Sequence, residues 1–203
     1  MINLIQEDID KAIGYAFSLH GNDCGGHGIG HIRRVISNAK MIMKELKSGF
    51  SKNLVVFCCA LHDVDDKKLD CGDSKRLDTF LCSGGYDDEL CKTVKNIISL
   101  VSFSENVGKS SDGISLEGKI VRDADRLDAL GAVGIARAFA YGGKTCRPMF
   151  RSDGENSSEQ HFYDKLFLLP SLMLTEPAKR EADRRVEIMK SFIDELHAEN
   201  ESK

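Results

Sequence analysis

The sequence lacks the patterns that mark several large classes of protein. It has no tryptophan and three prolines among 203 residues, and no apolar run approaches the roughly 18 to 20 residues of a membrane-spanning helix. No basic leader precedes an apolar core, so we expect a soluble, cytoplasmic protein without a membrane partner. The net charge of -4 argues against a broad nucleic-acid surface and favours a small-molecule partner.

The cysteines form no recognisable framework. Their number is odd and no C-x-x-C pair occurs among Cys24, Cys58, Cys59, Cys71, Cys82, Cys91 and Cys146. Neither a disulfide scaffold nor a zinc ribbon is therefore indicated, and we expect reduced thiols. The glycine-rich stretch DCGGHGIGH also lacks the order of a dinucleotide-binding or Walker loop.

Apolar residues recur at helical spacing along most of the chain. The pattern predicts helices over about 5–17, 34–46, 89–101 and 119–143, and a last helix that opens at Thr175 and Pro177. The run LVVFCCAL (54–61) fits a buried strand or a buried helix, and its composition favours helix. No repeat or compositional break divides the chain, so we expect one all-α domain over 1–203, a bundle of about seven helices.

Two histidines and several acids are the strongest candidates for chemistry. His31 follows the glycine-rich stretch, His62 and Asp63 end the most apolar run, and Asp125 lies in DADRLD, where Asp123 and Asp128 are alternatives. Each alone has an ordinary explanation as a core histidine or a helix cap. Together, imidazoles and carboxylates on buried helices offer mixed nitrogen and oxygen donors to a divalent metal.

The order of these pieces, with their context, resembles the HD-domain metal-dependent phosphohydrolases. HGIGHIRRV, ALHDVDDKK and DADRLDALGAVGIARAF are similar to motifs of a small single-domain subgroup, and the likeness continues through RPMF and HFYDKL. The resemblance implies an all-α HD-domain helical bundle. It also implies metal ligation by His31, His62, Asp63 and Asp125. The implied metal is Mn²⁺ or a similar ion, with Mg²⁺, Co²⁺, Fe²⁺, Ni²⁺ and Zn²⁺ as alternatives.

The resemblance also suggests the groups that act beside the metal. Asp66 is expected to orient or deprotonate the attacking water, and Lys68 matches the DxK of the subgroup. The alternative for Asp66 is a solvated helix end, and for Lys68 a surface ion pair.

Further residues are candidates for binding substrate phosphate. They are His27, Arg34, Arg126 and Arg147. A surface ion pair is the alternative for the arginines; we prefer it for Arg126, and Arg34 and Arg147 leave both interpretations open. Between His27 and His31 the chain has Gly-Ile-Gly where the subgroup has an acid and aromatics, which affects the expected substrate contacts and not the metal set.

The resemblance therefore implies a metal-dependent phosphohydrolase that acts on nucleotides. Cleavage of a nucleoside triphosphate to monophosphate and pyrophosphate is the favoured reaction. The alternatives are a nucleotidase, a cyclic phosphodiesterase, or a metal-dependent nucleotide sensor without turnover. The oligomeric state is open, with a homodimer among the expectations.

Overall fold

A computed structural model describes residues 4–19, 28–65, 75–101, 113–150 and 156–201. In these ranges the chain forms nine α-helices and one 3₁₀-helix and no β-strand, which confirms the all-α prediction. They are α1 (Gln6–Leu19), α2 (Ile29–Leu46), α3 (Lys52–Leu61), α4 (Arg76–Ser83), α5 (Asp88–Ser99), α6 (Leu116–Asp128), α7 (Gly131–Lys144), α8 (Gln160–Asp164), the 3₁₀-helix (Leu166–Leu172) and α9 (Glu176–Glu201). None of the helices within the described ranges has both the length and the apolar character that crossing a bilayer requires.

Helix α3 lies at the centre of the bundle. All of its residues from Leu54 to Leu61 are buried, and α1, α2, α5 and α6 pack around it. A helix that is apolar on every side has to be covered on every side. The Ser51 hydroxyl begins the helix by accepting a hydrogen bond from the Leu54 N–H at 3.4 Å. The helical interpretation of this run is therefore confirmed.

The buried face of α1 differs from the one that the sequence predicts. Apolar residues at spacings of four, beginning with Ile5 and Ile9, predict a single stripe along this helix. Ile5 is 53% exposed, whereas Ile9 is buried. Ala12 and Ala16 are completely buried. Small residues at these positions let α1 pack closely on α3, so the contact face includes the alanines that a count of large apolar residues passes over.

The predicted single helix over 119–143 is two helices. The chain turns at Ala129 and Leu130 between α6 and α7, and Gly131 opens α7 with a φ of 73°. Glycine reaches this left-handed conformation without the penalty of a Cβ atom. A Cβ on Gly134 would lie 2.2 Å from the carbonyl oxygen of Ala129, so the backbone packs closely against this glycine at the corner between the helices.

Asp123 connects α6 to the start of α9. Its carboxylate is fully buried and accepts hydrogen bonds from the Leu174 N–H at 3.0 Å, the Thr175 N–H at 2.7 Å and the Thr175 hydroxyl at 2.7 Å. Burial raises the pKa of Asp123 and outweighs these hydrogen bonds, which act in the opposite direction. The carboxylate therefore anchors the segment that leads into α9.

Candidate metal centre

His31 lies in the first turn of α2. The helix begins at Ile29, earlier than the predicted Arg34, with Gly28 as an extended N-cap. The Gly28 carbonyl accepts a hydrogen bond from the His31 N–H at 2.8 Å, so the backbone that carries this imidazole is helical. The side chain is 1% exposed, which leaves its ring nitrogens to bind neighbouring groups of the protein.

His62 and Asp63 lie where α3 ends. His62 is the C-cap residue, and its Nδ1 lies 2.9 Å from the carbonyl oxygen of Cys59. Because a carbonyl oxygen only accepts, Nδ1 carries the proton and the neutral ring has its lone pair on Nε2. The buried helix therefore fixes both the position of the imidazole and its tautomer.

The side chains of His31, His62, Asp63 and Asp125 converge on a single point. The two Nε2 atoms are 3.1 Å apart, and Asp63 carboxylate oxygens lie 3.3 Å from each of them. Asp125 Oδ1 lies 3.4 Å from His31 Nε2 and 3.5 Å from His62 Nε2. His31, His62 and Asp63 each supply a ligand atom within 4.8 Å of the other two, and Asp125 adjoins this group through the two nitrogens.

The two carboxylates give the point a strong preference for a cation. Burial lowers the pKa of His62, but Asp63 and Asp125 outweigh burial and raise this pKa to about 10. The pKa of His31 is also raised, because its contacts with Asp128 and Asp63 outweigh burial. The lone pairs of the two imidazoles and the carboxylates converge, and the raised pKa values show that they favour a bound proton. The same lone pairs also suit a divalent ion.

The donor set fits a first-row divalent metal. Two donors about 2.1 Å from such a metal are about 3.0 Å apart at a right angle and about 3.4 Å apart at the tetrahedral angle. The nitrogen–nitrogen and nitrogen–oxygen distances of the cluster run from 3.1 to 3.5 Å. Mixed imidazole and carboxylate ligands are compatible with several of these ions and do not select one.

Asp128 supports His31 from the side opposite to this cluster. One of its oxygens, Oδ2, lies 2.7 Å from His31 Nδ1, and the Arg34 Nε donates to Oδ1 at 2.6 Å. Arg137 also donates to Oδ2, at 2.5 Å. Burial raises the pKa of Asp128, but the contacts with His31 and the two arginines outweigh it and lower this pKa. The ionised carboxylate accepts a hydrogen bond from the His31 Nδ1–H. The lone pair of the neutral ring is then on Nε2, the candidate ligand atom.

The remaining predicted site residues differ in their placement. His27, Asp66 and Lys68 lie outside the described residues. Arg34 is paired with Asp128 and is 37% exposed, so it combines an ion pair with access to solvent. Arg147 is half-buried, with its guanidinium 5.8 Å from the ring centre of Tyr141.

The side chain of Arg126 lies between α6 and the 3₁₀-helix. It is 4% exposed, and its Nη1 donates to the carbonyl oxygen of Leu172 in the 3₁₀-helix at 2.8 Å. Burial and the neighbouring Arg122 lower the pKa of Arg126 to about 10. The side chain therefore joins α6 to the 3₁₀-helix and is buried, whereas a surface ion pair was the preferred interpretation.

Sequence reasoning missed two contributors to the centre. Arg137 contacts Asp128 from α7, and the Cys59 carbonyl fixes the ring of His62. Backbone carbonyls leave no trace in side-chain patterns. Arg137 was concealed because the predicted continuous helix would carry it away from Asp128, whereas the corner at Gly131 turns α7 back.

The fold is that of an HD-domain protein. The model of the HD domain family matches residues 28–130, and the chain belongs to this family. The protein YpgQ of Bacillus subtilis is 34% identical over 184 residues, which span 88% of this chain and 87% of YpgQ.

Solved structures agree over almost the whole chain. A protein of Lactobacillus plantarum has a TM-score of 0.84 at 33% identity and covers 99% of this chain and 100% of its own. An HD-superfamily hydrolase of Bacillus thuringiensis has a TM-score of 0.77 at 36% identity, over 98% and 99% of the two chains. YpgQ has been crystallised in complex with ADP; that structure has a TM-score of 0.76 at 31% identity, over 96% and 98%.

Proposed function

We propose that this chain is a divalent-metal-dependent phosphohydrolase that cleaves nucleoside triphosphates to monophosphates and pyrophosphate. The observation that carries the proposal is a convergence on two nitrogens. The Nε2 atoms of His31 and His62 are 3.1 Å apart, and carboxylate oxygens of Asp63 and Asp125 lie 3.3 to 3.5 Å from each of them. Membership of the HD domain family supports hydrolysis. The ADP complex of the relative YpgQ supports a nucleotide as substrate.

Under this proposal the four residues hold the ion, for which Mn²⁺ is our first choice. A divalent ion at this point supplies Lewis-acid activation of water and of a phosphoryl oxygen. The Cys59 carbonyl and Asp128 keep the two imidazoles in the tautomers that direct lone pairs at it. A site whose ligands are already oriented needs little reorganisation on binding.

Other residues would act on the substrate. Asp66 would orient and deprotonate the attacking water, as a carboxylate within hydrogen-bonding reach can. The negative charge of the phosphates would be compensated by Lys68, His27 and Arg147. These side chains would also hold the triphosphate in line for displacement. The roles of Asp66 and Lys68 rest on the family resemblance, and those of His27 and Arg147 rest on their positions in the sequence.

The experiment is a turnover assay on chelator-treated, metal-reconstituted protein with a panel of nucleotides, in which phosphate and pyrophosphate are measured separately. We expect pyrophosphate and nucleoside monophosphate in equal amounts, and a loss of at least about a hundredfold in kcat for Asp63→Ala. Asp183→Asn is the charge-matched control, because Asp183 is exposed on α9. Release of phosphate alone would identify a nucleotidase, and binding without turnover with every metal would contradict the enzyme proposal.

A further inference from the structure

A cavity lies behind the metal centre, on the far side of Asp128. It has a volume of about 340 Å³ and is bordered by α2, by the corner between α6 and α7, and by α9. None of the four candidate metal ligands lines it. Asp128 separates the cavity from the metal centre. Its carboxylate contacts His31 Nδ1, whereas the other candidate ligand atoms lie around His31 Nε2. A volume of this size is within the range of small-molecule sites.

The walls of the cavity carry an excess of positive charge. Arg34, Arg184 and Arg185 line it, and Asp128 is the one acid among its lining residues. Asp128 is shared between Arg34 and a further guanidinium from α7. Glu181 accepts hydrogen bonds from both Arg184 and Arg185. The residues that line the cavity therefore carry three guanidinium groups and one carboxylate.

Two of these arginines still have donors to offer a ligand. Arg34 uses its Nε and Nη2 on Asp128 and is 37% exposed. Arg184 is 62% exposed and makes its contacts with a single carboxylate. Arg185, in contrast, also donates to the Leu127 carbonyl at 2.6 Å and to Asn38 Oδ1 at 2.9 Å, so it supports the wall. A guanidinium has five N–H donors in a planar fork that suits phosphoryl oxygens.

The first turn of α7 adds backbone donors to the same cavity. Gly131, Ala132 and Val133 line it and are the first three residues of this 14-residue helix. Leu130, the N-cap residue, cannot cap with its side chain. The N–H groups at a helix start have no acceptor within the helix and favour an anion. The stem of Arg185 packs over Gly131, where a Cβ would lie 3.2 Å from its Cγ, so the helix start and the α9 arginines are in contact.

We propose that this cavity is a second binding site, separate from the metal centre, for a phosphoryl or pyrophosphoryl group. The site takes either a free inorganic anion or the phosphates of a nucleotide. Val133 and Ile188, which are 38% and 42% exposed, provide an apolar rim. The site requires no metal, and its existence does not depend on the proposed hydrolysis.

The test uses chelator-treated, ¹⁵N-labelled full-length protein, in which the carboxylates of the metal centre repel anions. Phosphate, pyrophosphate, adenosine monophosphate and adenosine are added in turn at matched ionic strength. We expect the phosphorylated compounds to shift the amide signals of Gly131, Ala132 and Val133, and adenosine to leave them unchanged. A stronger response to the monophosphate than to phosphate would identify a nucleotide as ligand, and the reverse a free anion.

Substitutions in α7 provide a matched pair. Val133→Glu places a carboxylate in the cavity at a helix start, where acids are tolerated, and should weaken pyrophosphate binding about tenfold or more. Ala136→Glu adds the same charge at an exposed position one turn later and should change binding less than about twofold. Arg184→Gln should also weaken binding. Unshifted amides at millimolar pyrophosphate, equal binding by adenosine, or wild-type binding by folded Val133→Glu would overturn the proposal, whatever the turnover assay shows.

Discussion

Asp128→Asn tests whether the support behind His31 determines metal affinity. The wild-type oxygen Oδ2 accepts from His31 Nδ1 at 2.7 Å and from Arg137 at 2.5 Å, and Oδ1 accepts from Arg34 at 2.6 Å. An asparagine has the same shape but only one accepting oxygen. The amide N–H₂ of the asparagine therefore has two possible neighbours. It faces either an arginine, which is also a donor, or His31.

Both arrangements are unfavourable for metal binding. If the amide N–H₂ meets His31 Nδ1, the ring proton moves to Nε2 and blocks the ligand atom. If it meets Arg34 or Arg137, the carboxamide rotates away and His31 loses its anchor. Loss of such a supporting hydrogen bond costs about ten- to a hundredfold in metal affinity, or about 1.4 to 2.7 kcal/mol.

The measurement is calorimetric titration of chelator-treated protein with Mn²⁺, together with the imidazole ¹⁵N chemical shifts that report the tautomer. Leu127→Ala is the control for stability, because this buried apolar side chain of α6 is not one of the four candidate ligands and its loss costs about 2 to 5 kcal/mol. The reasoning would be refuted if folded Asp128→Asn bound Mn²⁺ within about twofold of wild type, or if Leu127→Ala weakened binding equally.

Three further predictions concern stability, measured by urea unfolding. Asp123→Ala removes the acceptor of three hydrogen bonds at the start of α9 and should lower the free energy of unfolding by about 3 to 5 kcal/mol; a loss below about 1 kcal/mol would contradict this role. Gly134→Ala should cost more than about 2 kcal/mol, because its Cβ would meet a backbone oxygen at 2.2 Å, whereas Gly14→Ala, with nothing within 4 Å, should stabilise α1 by about 1 kcal/mol. Arg184 and Arg185 hold the pKa of Glu181 at about 2, below its usual 4.5. The stabilisation from the ionised carboxylate is therefore complete above about pH 4.5 and disappears as the pH falls towards 2. Over that interval Glu181→Gln should lose less stability than wild type.

The sequence was informative where local pattern and burial coincide. The run 54–61 is apolar without interruption, and such a segment has to be central, so its role as the mount for His62 and Asp63 could be predicted. The start of α2 could not be predicted in this way. Its N-cap residue is Gly28, which makes no side-chain hydrogen bond, so no capping motif marks the position. The corner at Gly131 depends on one left-handed residue, which is indistinguishable in sequence from a tolerated helical glycine.

The three acids of DADRLD show why spacing alone could not separate their roles. At about 100° per residue, Asp123 and Asp125 point about 160° apart, whereas Asp125 and Asp128 lie about 60° apart on one face. The first pair therefore had to serve opposite sides of α6, and Asp123 holds the segment before α9 while Asp125 reaches the histidines. Side chains three residues apart on a helix are about 5 to 6 Å apart, enough to admit one imidazole between them. His31 lies in that space, with Asp125 3.4 Å from Nε2 and Asp128 2.7 Å from Nδ1. One turn of α6 thus supplies both a candidate ligand, Asp125, and the carboxylate that orients His31, Asp128. The direction from which α2 approaches α6 decides which of the two acids has which role.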